Sequence, residues 1–193
     1  MQALAMTDPF ASGVLKQDVH SRLVADLPAV AKDASIMPEW IWKPLAKSVG
    51  QTEYSYVVKF RQHRANRAGG LCYVGRNPSQ TIDDRMSAIT GALVRNFIRA
   101  KVMTLEQVLA HFDDHGAPPH SCIAIPNFFI EKGLGGGKLA DWKIGQLMDL
   151  LTQRRIAGLQ TVVYVSDLDC LANEYGVGFA NLIKQHYIVV KAD

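Results

Sequence analysis

An apolar strand pattern from Leu71 to Val74 runs into Gly75-Arg76-Asn77-Pro78-Ser79-Gln80-Thr81-Ile82 and then into a helical pattern. A phosphate loop of the form G-x-x-x-x-G-K-[ST] would stand at this place. Its backbone N–H groups cradle phosphates, its lysine neutralises them and its hydroxyl holds Mg²⁺. Here Gln80 replaces the second glycine, Thr81 the lysine and Ile82 the hydroxyl. A second glycine-rich run, Gly133-Leu134-Gly135-Gly136-Gly137-Lys138, also follows a strand pattern and ends in Gly-Lys. It is one residue short, with Leu139 where Ser or Thr belongs, so it reads mainly as a connection and, as the alternative, as a site for a phosphorylated ligand.

Two further stretches carry reactive side chains. His111 to Cys122 contains His111, Asp113, Asp114, His115, His120 and Cys122, metal-ligand types whose spacing matches no zinc pattern. The plain reading is a polar loop leading into a buried strand, and a metal-dependent enzyme is the alternative. Lys59, Arg61, Arg64 and Arg67, preceded by Tyr54 and Tyr56, form the densest basic patch. Such a patch is either a solvated face or a nucleic-acid surface, where aromatics stack on bases while cations follow phosphates. Arg154 and Arg155 end a helical pattern and suit the negative end of its dipole. Ser166 and Asp167 precede the next helix, with Asp167 placed to cap it.

Alternating strands and helices must position these groups. Strands are expected at Leu71 to Val74, Lys101 to Met103, Ser121 to Ile130, Thr161 to Val165 and Ile188 to Val190. Between them, Asp83 or Asp84 starts a helix with Met86, Ile89, Leu93, Phe97 and Ile98 on its apolar face. Thr104 with Gln107 forms a capping box for a helix bearing Leu105, Val108, Leu109 and Phe112. A long helix runs from Leu139 to about Ile156 and includes Trp142 on its apolar side. Gly176 ends the helix that Asp167 starts, and Phe179 to His186 forms another. This alternation implies a parallel α/β sheet covered on both faces. Residues 1–50 form a weaker helical arm, docked through Trp40 and Trp42.

With 193 residues, 48% apolar and 20% charged, the chain has enough material for one full core. The net charge of +3 permits nucleic-acid contact without requiring it. Cys72, Cys122 and Cys170 are odd in number and widely spaced, which argues against a disulfide framework or a metal clip and for free thiols in a reducing cytoplasm. Met1 to Leu15 shows no leader pattern, and no apolar run approaches the roughly 20 residues that span a bilayer. A cytoplasmic protein without membrane contact is expected.

The order of parts resembles the AAA+ ATPase core of DnaC/IstB-type helicase loaders and transposition helpers, over about residues 50 to 190. Cys122-Ile123-Ala124-Ile125-Pro126-Asn127-Phe128-Phe129 stands where that family has its Walker B strand. Arg154-Arg155-Ile156-Ala157-Gly158-Leu159-Gln160-Thr161, leading to Val165-Ser166-Asp167-Leu168, echoes R-x-x-x-G-x-x-T followed by T-S-N-L.

The resemblance implies a P-loop NTPase-like, three-layer α/β/α fold over residues 51–193 with the arm at 1–50. It makes Gly75, Asn77, Ser79, Gln80 and Thr81 a vestigial phosphate loop, Pro126 and Asn127 a vestigial Walker B, and Ser166 and Asp167 sensor-like. It gives Arg154, Arg155 and Lys184 to subunit contacts, and lends weight to nucleic-acid binding by Lys59, Arg61, Arg64 and Arg67. With neither lysine nor acid pair, no ATPase and no cofactor or metal are expected, weak ATP or ADP binding through backbone N–H groups being the residual capacity. The implied function is scaffolding in DNA replication, transposition or mobile-element maintenance. Its partners would be a helicase, a transposition protein, an AAA+ homologue, DNA or further copies of the chain. A weak ATPase completed by a partner in a composite ring is a further alternative.

Overall fold

The computed structural model describes residues 8–76 and 80–192, without the side chains of Gln80 and Thr81. Five strands, β1 (Gly70–Val74), β2 (Ala100–Val102), β3 (Cys122–Phe129), β4 (Gln160–Val165) and β5 (Tyr187–Lys191), pair in the order β2-β3-β4-β1-β5. Every pairing is parallel. The central strands are apolar almost throughout because helices cover both faces, and all six residues of β4 are buried. At the edge, β5 alternates buried and more exposed positions.

Alternation of side chains along each strand divides the core in two. Leu71, Tyr73, Ala124, Val162 and Tyr164 point to one face. There they meet helices of the arm, α1 (Gln17–Ala25), α2 (Leu27–Asp33) and α3 (Glu39–Trp42), followed by α4 (Gln51–Val58), α5 (Phe60–Ala65) and α6 (Gln80–Arg95). Cys72, Ile123, Ile125, Val163 and Val165 point to the other face. They pack against α7 (Leu105–His115), α8 (Asp141–Ile156), α9 (Leu168–Tyr175) and α10 (Val177–His186). Leu147, Leu150 and Leu151 of α8 are at most 1% exposed, each contributing about 1.5–3 kcal/mol of transfer free energy.

Local signals fix several boundaries. Thr104 and Gln107 form the reciprocal capping box of α7. The Asp167 carboxylate accepts from the N–H groups of Asp169 and Cys170 to start α9, which stops at Gly176 with φ +97°. The arm docks closely: Trp40 packs beside Leu45, Ala88 and Ala92, and Trp42 packs against the larger core. At Gly91 on α6 an added Cβ would stand 2.2 Å from the Trp40 carbonyl oxygen.

Some expectations shift. The α6 helix is already formed at Gln80, ahead of Asp83, and ends at Arg95. Phe97 therefore lies beyond it, 65% exposed with φ +59°. Leu139 precedes α8, and Trp142, 60% exposed, faces solvent because it lies five residues before Leu147 and so off the buried stripe of Leu147, Leu150, Leu151 and Arg154. Among the described residues no helix is long and apolar enough to cross a membrane.

Candidate functional site

In a parallel sheet, ligand crevices open at the carboxyl ends of the strands where the strand order reverses. Here the chain leaves β1 across β4 and β3 to reach β2, and later leaves β4 across β1 to reach β5, so the reversal falls beside β1. Gly75 leaves β1 at that point. Its N–H donates to the Val165 carbonyl at 3.2 Å and its carbonyl accepts from Tyr164 Oη at 2.7 Å. A Cβ on Gly75 would stand 2.2 Å from the Ala192 carbonyl oxygen, so the close approach of β5 requires glycine.

The next residue closes the crevice. Arg76 reaches Asp167 Oδ2 at 3.2 Å and Glu131 Oε1 at 3.5 Å, joining the ends of β1, β3 and β4. The Glu131 N–H donates to the buried Ser166 Oγ at 2.9 Å, and the Cys170 thiol donates to Glu131 Oε2 at 3.2 Å. Backbone N–H groups of Cys170 and Asp169, with Arg76, hold the Asp167 carboxyl below the ordinary range. The bond to Glu131 pushes the Cys170 thiol up, away from the thiolate a nucleophile needs. Arg76 is 66% exposed, so solvent screens these ion pairs and they add little to stability.

Of the sequence-derived phosphate loop, Gly75 lies in this crevice, and Gln80 and Thr81 lie in the first turn of α6. Asn77 and Ser79 lie outside the described residues. Ser166 and Asp167 join Gly75 here. Pro126 and Asn127 do not. Strand β3 carries two extra residues between Ile125, opposite Val163, and Phe129, opposite Val165, and Pro126 with Asn127 sits in that bulge. Asn127 Oδ1 accepts from the Leu105 N–H at 2.8 Å and its amide donates to Glu106 at 3.1 Å, so it serves the first turn of α7. The carboxylate at the end of β3 is Glu131, which the linear alignment missed. A proline inside a central strand was the available signal, because it cannot donate to a ladder and marks a bulge.

The remaining candidates separate. Gly135 to Leu139 lines a cavity of about 290 Å³ with Glu106, Asn127 and Tyr175, and Lys138 stands exposed on an irregular segment that ends before α8 begins. His111 Nδ1 is 3.0 Å from the Gly116 carbonyl, and Cys122 is buried at the start of β3. Among the described residues no three His, Cys, Asp or Glu side chains converge on a metal-sized space.

Lys59, Arg61, Arg64 and Arg67 lie at the opposite, N-terminal end of the sheet. Lys59, Arg61 and Arg67 are exposed. Arg64 instead donates from Nε to the Gly158 carbonyl at 2.9 Å and reaches Ser121 Oγ at 3.3 Å, tying α5 to the starts of β3 and β4.

Arg154 corrects the subunit-contact expectation. It is wholly buried and donates to Thr161 Oγ1 and to the carbonyls of Pro118, His120 and Gln160. Burial lowers its pKa to about 10, still charged near neutrality. It has no surface to offer a neighbour. Arg155 is partly buried, with Nε lacking a partner, and Lys184 is exposed on α10.

The sheet order and layers define a three-layer α/β/α domain around a five-stranded parallel sheet of P-loop NTPase-like order, preceded by a helical arm. A solved structure described as a DNA replication initiation factor shares this fold with a TM-score of 0.52 and 8% identity. The match covers 75% of this chain and 47% of that one, so this chain spans about half of that protein's length. No family model and no curated protein matches the sequence.

Proposed function

We propose that this chain is a non-hydrolysing AAA+-like binding and scaffold module in DNA replication, transposition or mobile-element maintenance. It would act through contacts with a helicase, a transposition protein, an AAA+ homologue or DNA. The observation that carries this reading is the crevice beside β1. Catalysis of phosphoryl transfer depends almost entirely on positioned charge, and here the loop has threonine where the lysine belongs. Its one described cation, Arg76, is paired with Glu131 and Asp167. Asp83 and Asp84, exposed in the first turns of α6, would repel a triphosphate at the helix N-terminus that otherwise favours it. These residues do not fit a tightly held nucleotide. Without a γ-phosphate switch, the occupancy of partners would set the state of the molecule.

Glu131 favours a second reading, a weak ATPase within a composite ring, because it places one carboxylate at the end of β3 where magnesium chemistry would need it. Turnover of labelled ATP with Mg²⁺, for the chain alone and with a native partner, separates the two. The scaffold reading expects no turnover in either case. ATP hydrolysis that disappears in Glu131→Gln would refute it.

A further inference from the structure

The parallel sheet sorts charge by end. The segments feeding β1, β4 and β5 are residues 59–69, 153–159 and 184–186. They hold seven of the chain's 21 Lys and Arg residues and none of its 18 acids. At the opposite end Asp83, Asp84, Glu106, Glu131, Asp167 and Asp169 outnumber Arg76, Lys132, Lys138 and Lys191. The acids nearest the basic end lie on its β2–β3 side. Asp33 acts on His120, and Asp113 bonds Gln146 of α8. Among the described residues, no ion pair offsets the cations of these three segments.

Helix C-termini also gather there, and a cation at such an end gains about 0.3–1 kcal/mol from the dipole. That effect does not account for the whole pattern, since α7 carries Asp113 and Asp114 in its own last turn. Arg61 and Arg64 line a concavity of about 300 Å³ with the backbone of Ala157 and Gly158. The Arg64 bond to Gly158 fixes its floor. Arg155 brings a buried Nε with no hydrogen-bond partner. Among the described residues, none of Lys59, Arg61, Arg67, Arg155 or Lys184 takes part in an ion pair. Arg67 holds a left-handed φ of +52°, a conformation uncommon for a long side chain.

We infer that this basic end of the sheet, where Arg61 and Arg64 line a concavity and Lys59, Arg67, Arg155 and Lys184 stand on the same three segments, binds the phosphate backbone of nucleic acid on the side opposite the β1 crevice. Guanidinium groups present planar forks suited to phosphate oxygens, and here five arginines outnumber two lysines across the three segments. Within those segments Ile156 is the only large apolar side chain that is exposed. An acidic protein segment would therefore find little to anchor it besides charge, whereas a phosphodiester chain needs nothing more. The inference deepens the nucleic-acid part of the proposed function and is independent of its nucleotide part.

Fluorescence anisotropy of labelled single-stranded and duplex DNA, titrated with the full chain at 50 and 200 mM salt, tests it. Four phosphate contacts on a single strand give a log–log salt slope near −2.8, so affinity should fall about fiftyfold across that range. Arg61→Glu with Arg67→Glu should weaken binding at least tenfold and flatten the slope by about 1.4, while Lys16→Glu with Lys47→Glu, matched in charge on the arm, should change it little. Absence of binding at 50 mM salt, unchanged affinity in the Arg61/Arg67 variant, or tighter binding to polyglutamate than to DNA would each overturn the inference. ATP turnover, which would refute the scaffold reading, leaves these results unaffected.

Discussion

Replacing Arg154 with methionine should cost about 3–5 kcal/mol of stability. The side chain is fully buried, and its guanidinium holds Thr161 Oγ1 and three backbone carbonyls, those of Pro118, His120 and Gln160. Charge-assisted hydrogen bonds contribute about 1.5–3 kcal/mol each, and a buried acceptor left unmatched costs about 1–3 kcal/mol. Against that loss stands the relief of desolvating a cation, several kcal/mol. Replacing a buried ion pair with apolar groups can be neutral when both partners go. Here the acceptors are backbone oxygens that no substitution removes, so the loss outweighs the relief. For a chain of 193 residues the drop corresponds to about 10 °C in melting temperature at roughly 2–4 °C per kcal/mol. Thermal and urea unfolding followed by circular dichroism reads both quantities. Arg154→Lys should recover only part of the loss, since an ammonium cannot span the same fork of acceptors. A methionine variant within 1 kcal/mol of the parent protein would show that the guanidinium does not hold the 118–120 loop to β4.

Gly91→Ala should separate α3 from α6, because the new methyl would meet the Trp40 carbonyl; increased cleavage of the arm by trypsin and a melting point lower by several degrees are expected. His63 and His120 have pKa values lowered by burial and then by neighbouring cations. The unfolded chain therefore binds more protons than the folded one below about pH 6.5, and stability, complete above that pH, should fall as the pH drops toward 5. Urea midpoints measured from pH 5 to 7.5 should show this, with a flatter profile in His120→Gln. In the native protein Cys72 and Cys122 should resist thiol reagents, being buried with raised pKa values, that of Cys122 to about 12. Mass spectrometry should find the first adduct on Cys170, formed slowly; rapid modification of Cys122 would contradict the packing of β3.

Much of the fold was legible because its signals are local. Apolar runs announced the buried strands, and Thr104, Gln107, Asp167 and Gly176 announced helix boundaries through side-chain or backbone chemistry that acts within a turn. The site was less legible because its groups meet only through the sheet. Glu131 reaches the crevice after a bulge in β3, whereas the family resemblance places the paired acid positions at Pro126 and Asn127, inside that bulge. Arg154 carries the same local signature as Arg155, a cation in the last turn of α8. Only the path of the 118–120 loop makes one interior and leaves the other near the surface. Phe97 continues the spacing of α6 beyond its end at Arg95, and Trp142 is an apolar residue on α8 that lies off its buried stripe.

The excess of cations at the amino ends of β1, β4 and β5, against an excess of carboxylates at the carboxyl ends, would give the molecule an electric moment along the sheet. In the field of a large anion it would rotate before it touches, arriving basic end first with the β1 crevice turned outward. Added salt would then slow encounter as well as loosen the complex. Whatever docks at the crevice would meet it already presented to the solvent.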